Sequence, residues 1–194
     1  MIGIIGHKTS IAQAFIPSLG YEEPVQRRLE EMPLDLPRYL ICMGYLAGQS
    51  LQDISPEEAA RTWHLNFLDI ATFCDRVYAD NPDARICIIG SMSGIKGSFD
   101  AAYAGAKAAM HLYIEQKRLT GRHAQLVGIA PTIIENSGMT QRRNDLNHCI
   151  DRGKNTRRGS WLKPEEVAEL AHFLLYFDQG AISNVVIPMQ GGME

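Results

Sequence analysis

Residues 86–107 read ICIIGSMSGIKGSFDAAYAGAK, and the rest of the chain is interpreted outward from them. The β-branched run at 86–89 predicts a buried strand, and the glycines and serines of 90–98 interrupt any regular period, so the strand leads into a loop. Alanine-rich sequence from about Asp100 predicts a helix with Asp100 as its N-cap. A strand followed by a loop and a helix is typical of an α/β protein.

Three side chains in this stretch are suited to catalysis. Ser91 follows the predicted strand, and Tyr103 and Lys107 lie four residues apart on one face of the predicted helix. An ammonium close to a phenol favours the phenolate, which lowers the tyrosine pKa from about 10 toward the range useful for proton transfer at neutral pH. Ser91 could hold a carbonyl oxygen beside that phenol. We therefore place the candidate active site here, although most Tyr-x-x-x-Lys pairs on helices are solvated surface pairs.

The composition is that of an ordinary globular protein and narrows the classes of function. With 194 residues, 45% hydrophobic and 21% charged, the chain is expected to form a single domain over residues 1–194. The net charge of −3 argues against nucleic acid as a partner. The four cysteines form no paired metal-binding motif, so no metal site is predicted. No apolar stretch approaches the length of a membrane span, so we expect no membrane partner and a cytoplasmic location.

The first residues of the chain have the pattern of half a nucleotide-binding unit. The apolar run at 1–6 ends in Gly6, and residues 11–16 have a helical pattern, so a strand, a turn and a helix open the chain. A helix N-terminus beside a strand end offers free N–H groups and a positive dipole to a pyrophosphate. The candidate cofactor contacts in this turn are Gly6, Lys8, Thr9, Ser10 and Ile11. A simple strand–helix turn explains the same glycine.

Together these segments resemble the short-chain dehydrogenase/reductase family. The resemblance rests on Ile-Gly-Ser at 89–91, on Tyr-x-x-x-Lys at 103–107 and on the glycine-containing loop between them. In that family the serine orients the substrate, the tyrosine donates or accepts the proton, and the lysine lowers the tyrosine pKa. The resemblance implies these roles for Ser91, Tyr103 and Lys107. It also implies that Asn66 completes the group, its backbone holding a water in a proton relay to the lysine.

The resemblance extends along most of the chain and implies further cofactor contacts. The family's glycine-rich turn is matched by residues 6–12, where Ser10 and Ala12 replace two glycines, and residues 44–48 stand where the family has Asn-Asn-Ala-Gly. The segment ending at Pro131 is similar to the family strand beside the nicotinamide. The remaining cofactor contacts implied are Gly44, Pro131, Ile133 and Thr140, together with Tyr103 and Lys107.

One part of the family pattern is missing from the sequence. Between Leu19 and Arg38 there is no β-branched run, and residues 22–32 instead predict a short helix with Pro24 in its first turn. We therefore expect the second and third family strands to be absent, which leaves the first strand at the sheet edge, covered by residues 24–32 or by a second subunit. The expected fold is a Rossmann-like, doubly wound α/β sheet, mostly parallel and reduced to about five strands.

The region from residue 141 to 160 is strongly basic. Its six basic residues are Arg142, Arg143, Arg152, Lys154, Arg157 and Arg158, against the acids Asp145 and Asp151. In the family this region covers the substrate, which implies a basic lid over an anionic ligand. A solvated loop explains the same composition.

These observations predict an NAD(P)-dependent oxidoreductase that transfers a hydride between a nicotinamide and a carbonyl or alcohol substrate. NADP(H) is favoured over NAD(H) because Lys8 is present and no acid is placed to read the ribose. The expected partners are a small substrate, with anionic carbonyl compounds among the candidates, and further copies of the chain in a homodimer or homotetramer. Two alternatives stay open: a non-redox binding or regulatory protein that keeps this fold, and a sugar-nucleotide-modifying enzyme that uses the same residues.

Overall fold

Six strands form one parallel sheet in the computed structural model, which describes residues 1–141, 157–178 and 180–191. The strands are β1 Ile2–Ile5, β2 Val25–Arg27, β3 Arg38–Ile41, β4 Arg85–Ile89, β5 Gln125–Pro131 and β6 Val185–Met189. Their order is β2-β1-β3-β4-β5-β6, and all neighbours are parallel. The order reverses between β1 and β3, where open α/β sheets bind ligands at the carboxyl ends of the strands. The expected Rossmann-like fold is confirmed, with six strands instead of about five.

Helices connect the strands and cover both faces of the sheet. They are α1 Ser10–Phe15, α2 Pro56–Trp63, α3 Asp69–Asp80, α4 Ser93–Lys96, α5 Ala101–Gln116, α6 Gly138–Gln141 and α7 Pro164–Tyr176. A π-helical turn, His64–Leu68, joins α2 to α3. The short helix α4 lies in a stretch that the sequence predicts as a loop. Among the described residues, no helix combines the length and the apolar character needed to cross a membrane.

Side chains of alternate residues in the strands pack into two hydrophobic layers. On one face, Ile4, Leu40 and Val127 pack with residues of α1 and α7. On the other face, Ile41 and Ile88 pack with residues of α3 and α5. Because both faces are covered, the central strands are apolar except for the residues at which β3, β4 and β5 begin, Arg38, Arg85 and Gln125. The two layers hold the carboxyl ends of β1, β3, β4 and β5 at one edge, where the loops carry the candidate site residues.

The segment after α1 corrects two expectations. Residues 22–32 do not form a helix, because Val25–Arg27 pairs with β1 as the parallel strand β2 and only a 3₁₀ turn, Leu29–Glu31, follows it. The run Val-Gln-Arg is too short and polar for a strand pattern, so its conformation comes from pairing with β1. The second strand is therefore present, and β2 is the sheet edge in place of β1.

The segment covers β1, as one of our two alternatives predicted, but it does so as a strand. Doubly wound sheets in the order 3-2-1-4-5-6 have two strands beyond the first one. In the described residues a single strand lies beyond β1, so the sheet is one strand shorter at this edge.

Candidate active site

A large cavity opens at the carboxyl ends of the central strands. Its volume is about 1010 Å³. Every predicted site residue except Asn66 lines it, namely Gly6, Lys8, Thr9, Ser10, Ile11, Gly44, Ser91, Tyr103, Lys107, Pro131, Ile133 and Thr140. The fold thus brings residues that are far apart in sequence to one cleft.

The turn after β1 is shaped by Gly6 and Thr9. Gly6 has a φ of 77°, and a Cβ at this position would lie 2.8 Å from the backbone nitrogen of Met43, so glycine is required. Thr9 is the N-cap of α1, and its Oγ1 accepts a hydrogen bond from the N–H of Ala12 at 3.3 Å. The turn places Lys8 on the cavity wall.

Lys107 and Tyr103 lie one turn apart on α5, and both are buried. The Lys107 Nζ donates a hydrogen bond to the carbonyl oxygen of Ile89 at 3.1 Å and lies 5.9 Å from the centre of the Tyr103 ring. Burial disfavours the ammonium and lowers the pKa of Lys107 from 10.5 to about 8. The side chain is therefore mostly protonated at neutral pH but loses its proton in a mildly alkaline range.

Ser91 lies in the loop that follows β4. Its Oγ accepts a hydrogen bond from the N–H of Ser93 at 3.1 Å, and this leaves the hydroxyl proton for a ligand oxygen. Its backbone N–H donates to Nε2 of His111 at 3.4 Å. Two glycines make room for the imidazole, since a Cβ at Gly90 or Gly94 would lie 2.5 or 2.8 Å from ring atoms. The loop that carries Ser91 is thus packed against a histidine of α5.

His111 is a residue of this region that the sequence reasoning missed. Its side chain is buried, and burial together with the Lys107 charge lowers the pKa of His111 to about 4. The ring is therefore neutral at pH 7, and its Nε2 can accept the Ser91 N–H. The sequence feature that could have identified His111 is its position four residues after Lys107, which puts both side chains on one face of the helix.

Asn66 is the predicted site residue that lies behind the cavity. It is fully buried in the π-helical turn, and its Nδ2 donates to the carbonyl oxygens of Tyr45 at 2.7 Å and Thr62 at 2.8 Å. Its Oδ1 accepts the Tyr45 N–H at 3.1 Å. A Cβ at Gly44 would lie 3.1 Å from this oxygen and 3.5 Å from the Lys107 Nζ. Asn66 thus fastens the loop after β3 close to Lys107.

The cavity wall is cationic. Its charged side chains are Lys8, Arg27, Arg28, Lys96 and Lys107, and among the described residues that line it there is no Asp or Glu. Such a wall favours an anionic ligand. Arg27 and Arg28 come from the end of β2, so the sequence reasoning missed them together with that strand. Across the described parts of the chain, no cluster of three or more His, Cys, Asp or Glu side chains could hold a metal ion.

Two further expectations concern residues after β5. The Thr140 Oγ1 donates to the carbonyl oxygen of Ile134 at 2.8 Å and lies 2.7 Å from the Ser137 Oγ, so this hydroxyl supports its own turn. Of the basic region, Arg142, Arg143, Arg152 and Lys154 lie outside the described residues. Arg158 is described and pairs with Glu166 at 2.7 Å. The basic lid stays a prediction.

Comparison with known proteins finds one similar curated sequence and many similar structures. No family model matches the chain. A segment of 120 residues is 34% identical to the rhamnolipids biosynthesis 3-oxoacyl-[acyl-carrier-protein] reductase of Pseudomonas aeruginosa, covering 60% of this chain and 46% of that protein. The match thus spans about half the length of the relative.

Solved structures match over nearly the whole chain. A short-chain dehydrogenase family protein from Francisella tularensis superposes with a TM-score of 0.84 at 17% identity, covering 99% of this chain and 97% of the other. The chain has the short-chain dehydrogenase/reductase fold. A 3-oxoacyl-[acyl-carrier protein] reductase with bound NAD from Brucella melitensis also has this fold, with a TM-score of 0.79 at 16% identity over 99% of this chain and 90% of that one. The resemblance to the short-chain dehydrogenase/reductase family is confirmed at the level of the fold.

Proposed function

We propose that this chain is an oxidoreductase that interconverts a carbonyl compound and an alcohol with a nicotinamide dinucleotide. The observation that carries the proposal is the buried pair of Lys107 and Tyr103, which lines one cavity together with Ser91 and the turn after β1. Two comparisons support the same chemistry. The relative from P. aeruginosa is named a 3-oxoacyl-[acyl-carrier-protein] reductase, and the B. melitensis structure of that name holds NAD.

The cavity has the size and charge for a dinucleotide. Ligand sites usually enclose about 300–1,000 Å³, and this one is at the upper end, with a cationic wall. The glycine turn after β1, with Lys8, would hold the phosphates, and Gly44, Pro131 and Ile133 would lie beside the nicotinamide half. When bound there, the cofactor would supply or accept the hydride.

The chain's own side chains handle the proton and the substrate oxygen. In reduction, Tyr103 donates its phenolic proton to the carbonyl oxygen, while the Ser91 hydroxyl donates a hydrogen bond to the same oxygen. The ammonium of Lys107 stabilises the phenolate that remains. In oxidation the phenolate accepts the proton of the alcohol. The Ser91 Oγ is suited to this task because it accepts the hydrogen bond from the Ser93 N–H and its own proton can be donated to the substrate oxygen.

Asn66 supports this group from behind the cavity. Its amide side chain is bonded to backbone groups of Tyr45 and Thr62. We assign it the relay role that the resemblance implies, in which its backbone holds a water in a proton relay to Lys107. The π-helical turn supports this assignment, because such turns depart from the regular backbone pairing of a helix and are frequent at functional sites.

NADP(H) is the favoured cofactor over NAD(H). Arg27 and Arg28 lie at the carboxyl end of β2 and line the cavity together with Lys8. In doubly wound folds an arginine near this place accommodates the 2′-phosphate of NADP, whereas an acidic residue binds the free ribose hydroxyl of NAD. The lining contains arginines here and no acid within the described residues.

Titration with NADPH and NADH tests this proposal. We expect NADPH to bind in the micromolar range, tighter than NADH, and to be oxidised when a 3-oxoacyl thioester is added. Substitution of Arg27 and Arg28 by Ala should reduce the preference for NADPH. The proposal is wrong if neither dinucleotide binds at millimolar concentration.

A binding or regulatory protein that keeps this fold is the second candidate. The observation in its favour is the shortened sheet edge, where β2 is the single strand beyond β1 in the described residues. This candidate predicts that neither NADPH nor NADH binds at micromolar affinity and that no carbonyl or alcohol substrate turns over. Turnover that is lost in Tyr103→Phe, with binding of NADPH retained, would exclude it.

A further inference from the structure

Asp100 lies between the loop after β3 and the start of α5, and residues of both segments line the cavity. Its side chain is fully buried, with 0% of its surface exposed. One carboxylate oxygen, Oδ1, accepts the Tyr103 N–H at 2.9 Å, and the other, Oδ2, accepts the Gly48 N–H at 2.9 Å. The first bond caps α5, as the sequence predicts, and the second holds the loop that follows β3.

That loop has no regular secondary structure, and its backbone is hydrogen-bonded to the side chains of Asn66 and Asp100. Asn66 is bonded to the N–H and the carbonyl of Tyr45. Asp100 is bonded to the N–H of Gly48. Leu46, which lies between these two points, lines the cavity. The position of the cavity wall at Leu46 therefore depends on Asp100, the residue that caps α5.

A carboxylate is the group that can make both bonds at once. Burying a charge is costly unless it is hydrogen-bonded, and here the two N–H groups and the positive end of the 16-residue helix α5 offset that cost. An asparagine at residue 100 would offer a single acceptor oxygen and would turn its amide N–H groups toward the second donor. Serine would keep the cap, but its side chain is too short to accept from Gly48 as well.

We propose that Asp100 is a positioning residue that joins the loop after β3 to helix α5. Through these two bonds, Leu46 on the cavity wall and the phenol of Tyr103 keep a fixed position relative to each other. Its bonds reach the site through the backbones of Gly48 and Tyr103. The effects on cofactor and turnover rest on the proposed function, whereas the two hydrogen bonds do not.

Two substitutions separate the two bonds. Asp100→Ser keeps the helix cap and loses the bond to Gly48, and Asp100→Ala loses both. The matched control is Ser55→Ala, which removes the N-cap of α2, where the Ser55 Oγ accepts the Glu58 N–H at 3.2 Å. Ser55 does not line the cavity, so the control reports the effect of a lost cap by itself.

The expected result is a split between affinity and turnover. Asp100→Ser should weaken NADPH binding about tenfold and leave kcat within about threefold, because Tyr103 stays capped. Asp100→Ala should weaken binding equally and lower kcat by a further factor of about ten, because the first turn of α5 is released. Ser55→Ala should change neither quantity. Unchanged NADPH affinity in Asp100→Ser, or an equal loss in Ser55→Ala, would overturn the proposal.

A second measurement uses the free protein and needs no cofactor. Amide hydrogen exchange should show that Asp100→Ser exposes the Gly48 N–H while the Tyr103 N–H stays protected. Wild-type protection of Gly48 in that variant would refute the role of Asp100 even where Asp100→Ala fails to fold. If the wild-type protein binds neither NADPH nor NADH, the proposed function fails, and the exchange experiment still decides whether Asp100 joins the two segments.

Discussion

Tyr103 is the residue on which the proposed chemistry depends most directly, because its phenol transfers the proton. General acid–base groups contribute about 10²–10⁴-fold to rate, so Tyr103→Phe should lower kcat by that order with little change in the unfolding temperature. Tyr113→Phe is a control on the same helix, because Tyr113 donates to Asp75 and lies outside the cavity lining. Steady-state kinetics of both variants provide the test. Equal kcat values in Tyr103→Phe and Tyr113→Phe would contradict the assignment.

The charge of Lys107 should give the proposed reaction a pH dependence with a definite sign. Oxidation needs the phenolate, and the Lys107 ammonium, whose pKa is about 8, favours it until the proton is lost at higher pH. Lys107→Met removes this charge at every pH, so the rise of the oxidation rate with pH should move to higher pH. Measurement of kcat between about pH 6 and pH 10 in both proteins tests this shift. A variant profile that superposes on the wild-type profile would count against the role of Lys107.

His111 makes the stability of the fold sensitive to acid. The folded protein holds this imidazole neutral, with a pKa of about 4 against 6.5 in the unfolded chain. Between these values the unfolded state binds more protons, so stability falls as the pH decreases from about 6.5 to 4 and is insensitive to this group at higher pH. His111→Gln should remove about 2 kcal/mol of the stability difference between pH 7 and pH 5. Urea unfolding of both proteins at pH 7 and pH 5 measures this stability difference. If it is the same in His111→Gln and in the wild-type protein, His111 is not the source of the acid sensitivity.

At the scale of elements, the glycines after β4 allow α5 to approach the loop that carries Ser91. A Cβ at Gly90 would lie 2.5 Å from the His111 Nε2, so Gly90→Ala should destabilise the fold by about 1–3 kcal/mol and lower kcat through displacement of Ser91. Gly105→Ala is the matched control within α5, because its Cβ would meet only the Trp63 ring at 3.4 Å. Thermal unfolding should separate the two. Equal stabilities would show that the loop adapts without cost.

How far the sequence predicts an element depends on whether local pattern or tertiary pairing determines it. The strand β4 and the helix α5 follow from a β-branched run and an alanine-rich run, and Asp100 is the predicted cap. The strand β2 has three residues and one β-branched side chain, so pairing with β1 determines it. The same limit applies to the site, because the cationic wall at Arg27 and Arg28 becomes visible only with that strand. The second bond of Asp100 joins residues 52 positions apart, and no local pattern encodes it.

For the whole molecule, the shortened edge should make cofactor binding depend on phosphates more than on the adenine ring. One three-residue strand lies beyond β1 in the described part of the sheet, so little of the fold would enclose the adenosine half of the proposed cofactor. Adenosine should therefore compete poorly with NADPH, whereas adenosine 2′,5′-bisphosphate should compete well and lose affinity at high salt. The change in NADPH fluorescence as the bound dinucleotide is displaced measures the affinity of both competitors. Adenosine that binds as tightly as the whole dinucleotide would contradict the open edge.

The π-helical turn His64–Leu68 sets the number of residues between α2 and α3, and thereby the rotation of one helix relative to the other. Each residue of an α-helix turns the chain by about 100°, so removal of one residue here would rotate α2 against α3 by that angle. Asn66 must face the loop after β3, while Ile70 and Phe73 must face the sheet. A helix one residue shorter could satisfy one of these requirements but not both. Insertions and deletions among homologous chains should therefore fall before Pro56 or after Asn81, and the helix between them should vary by substitution alone.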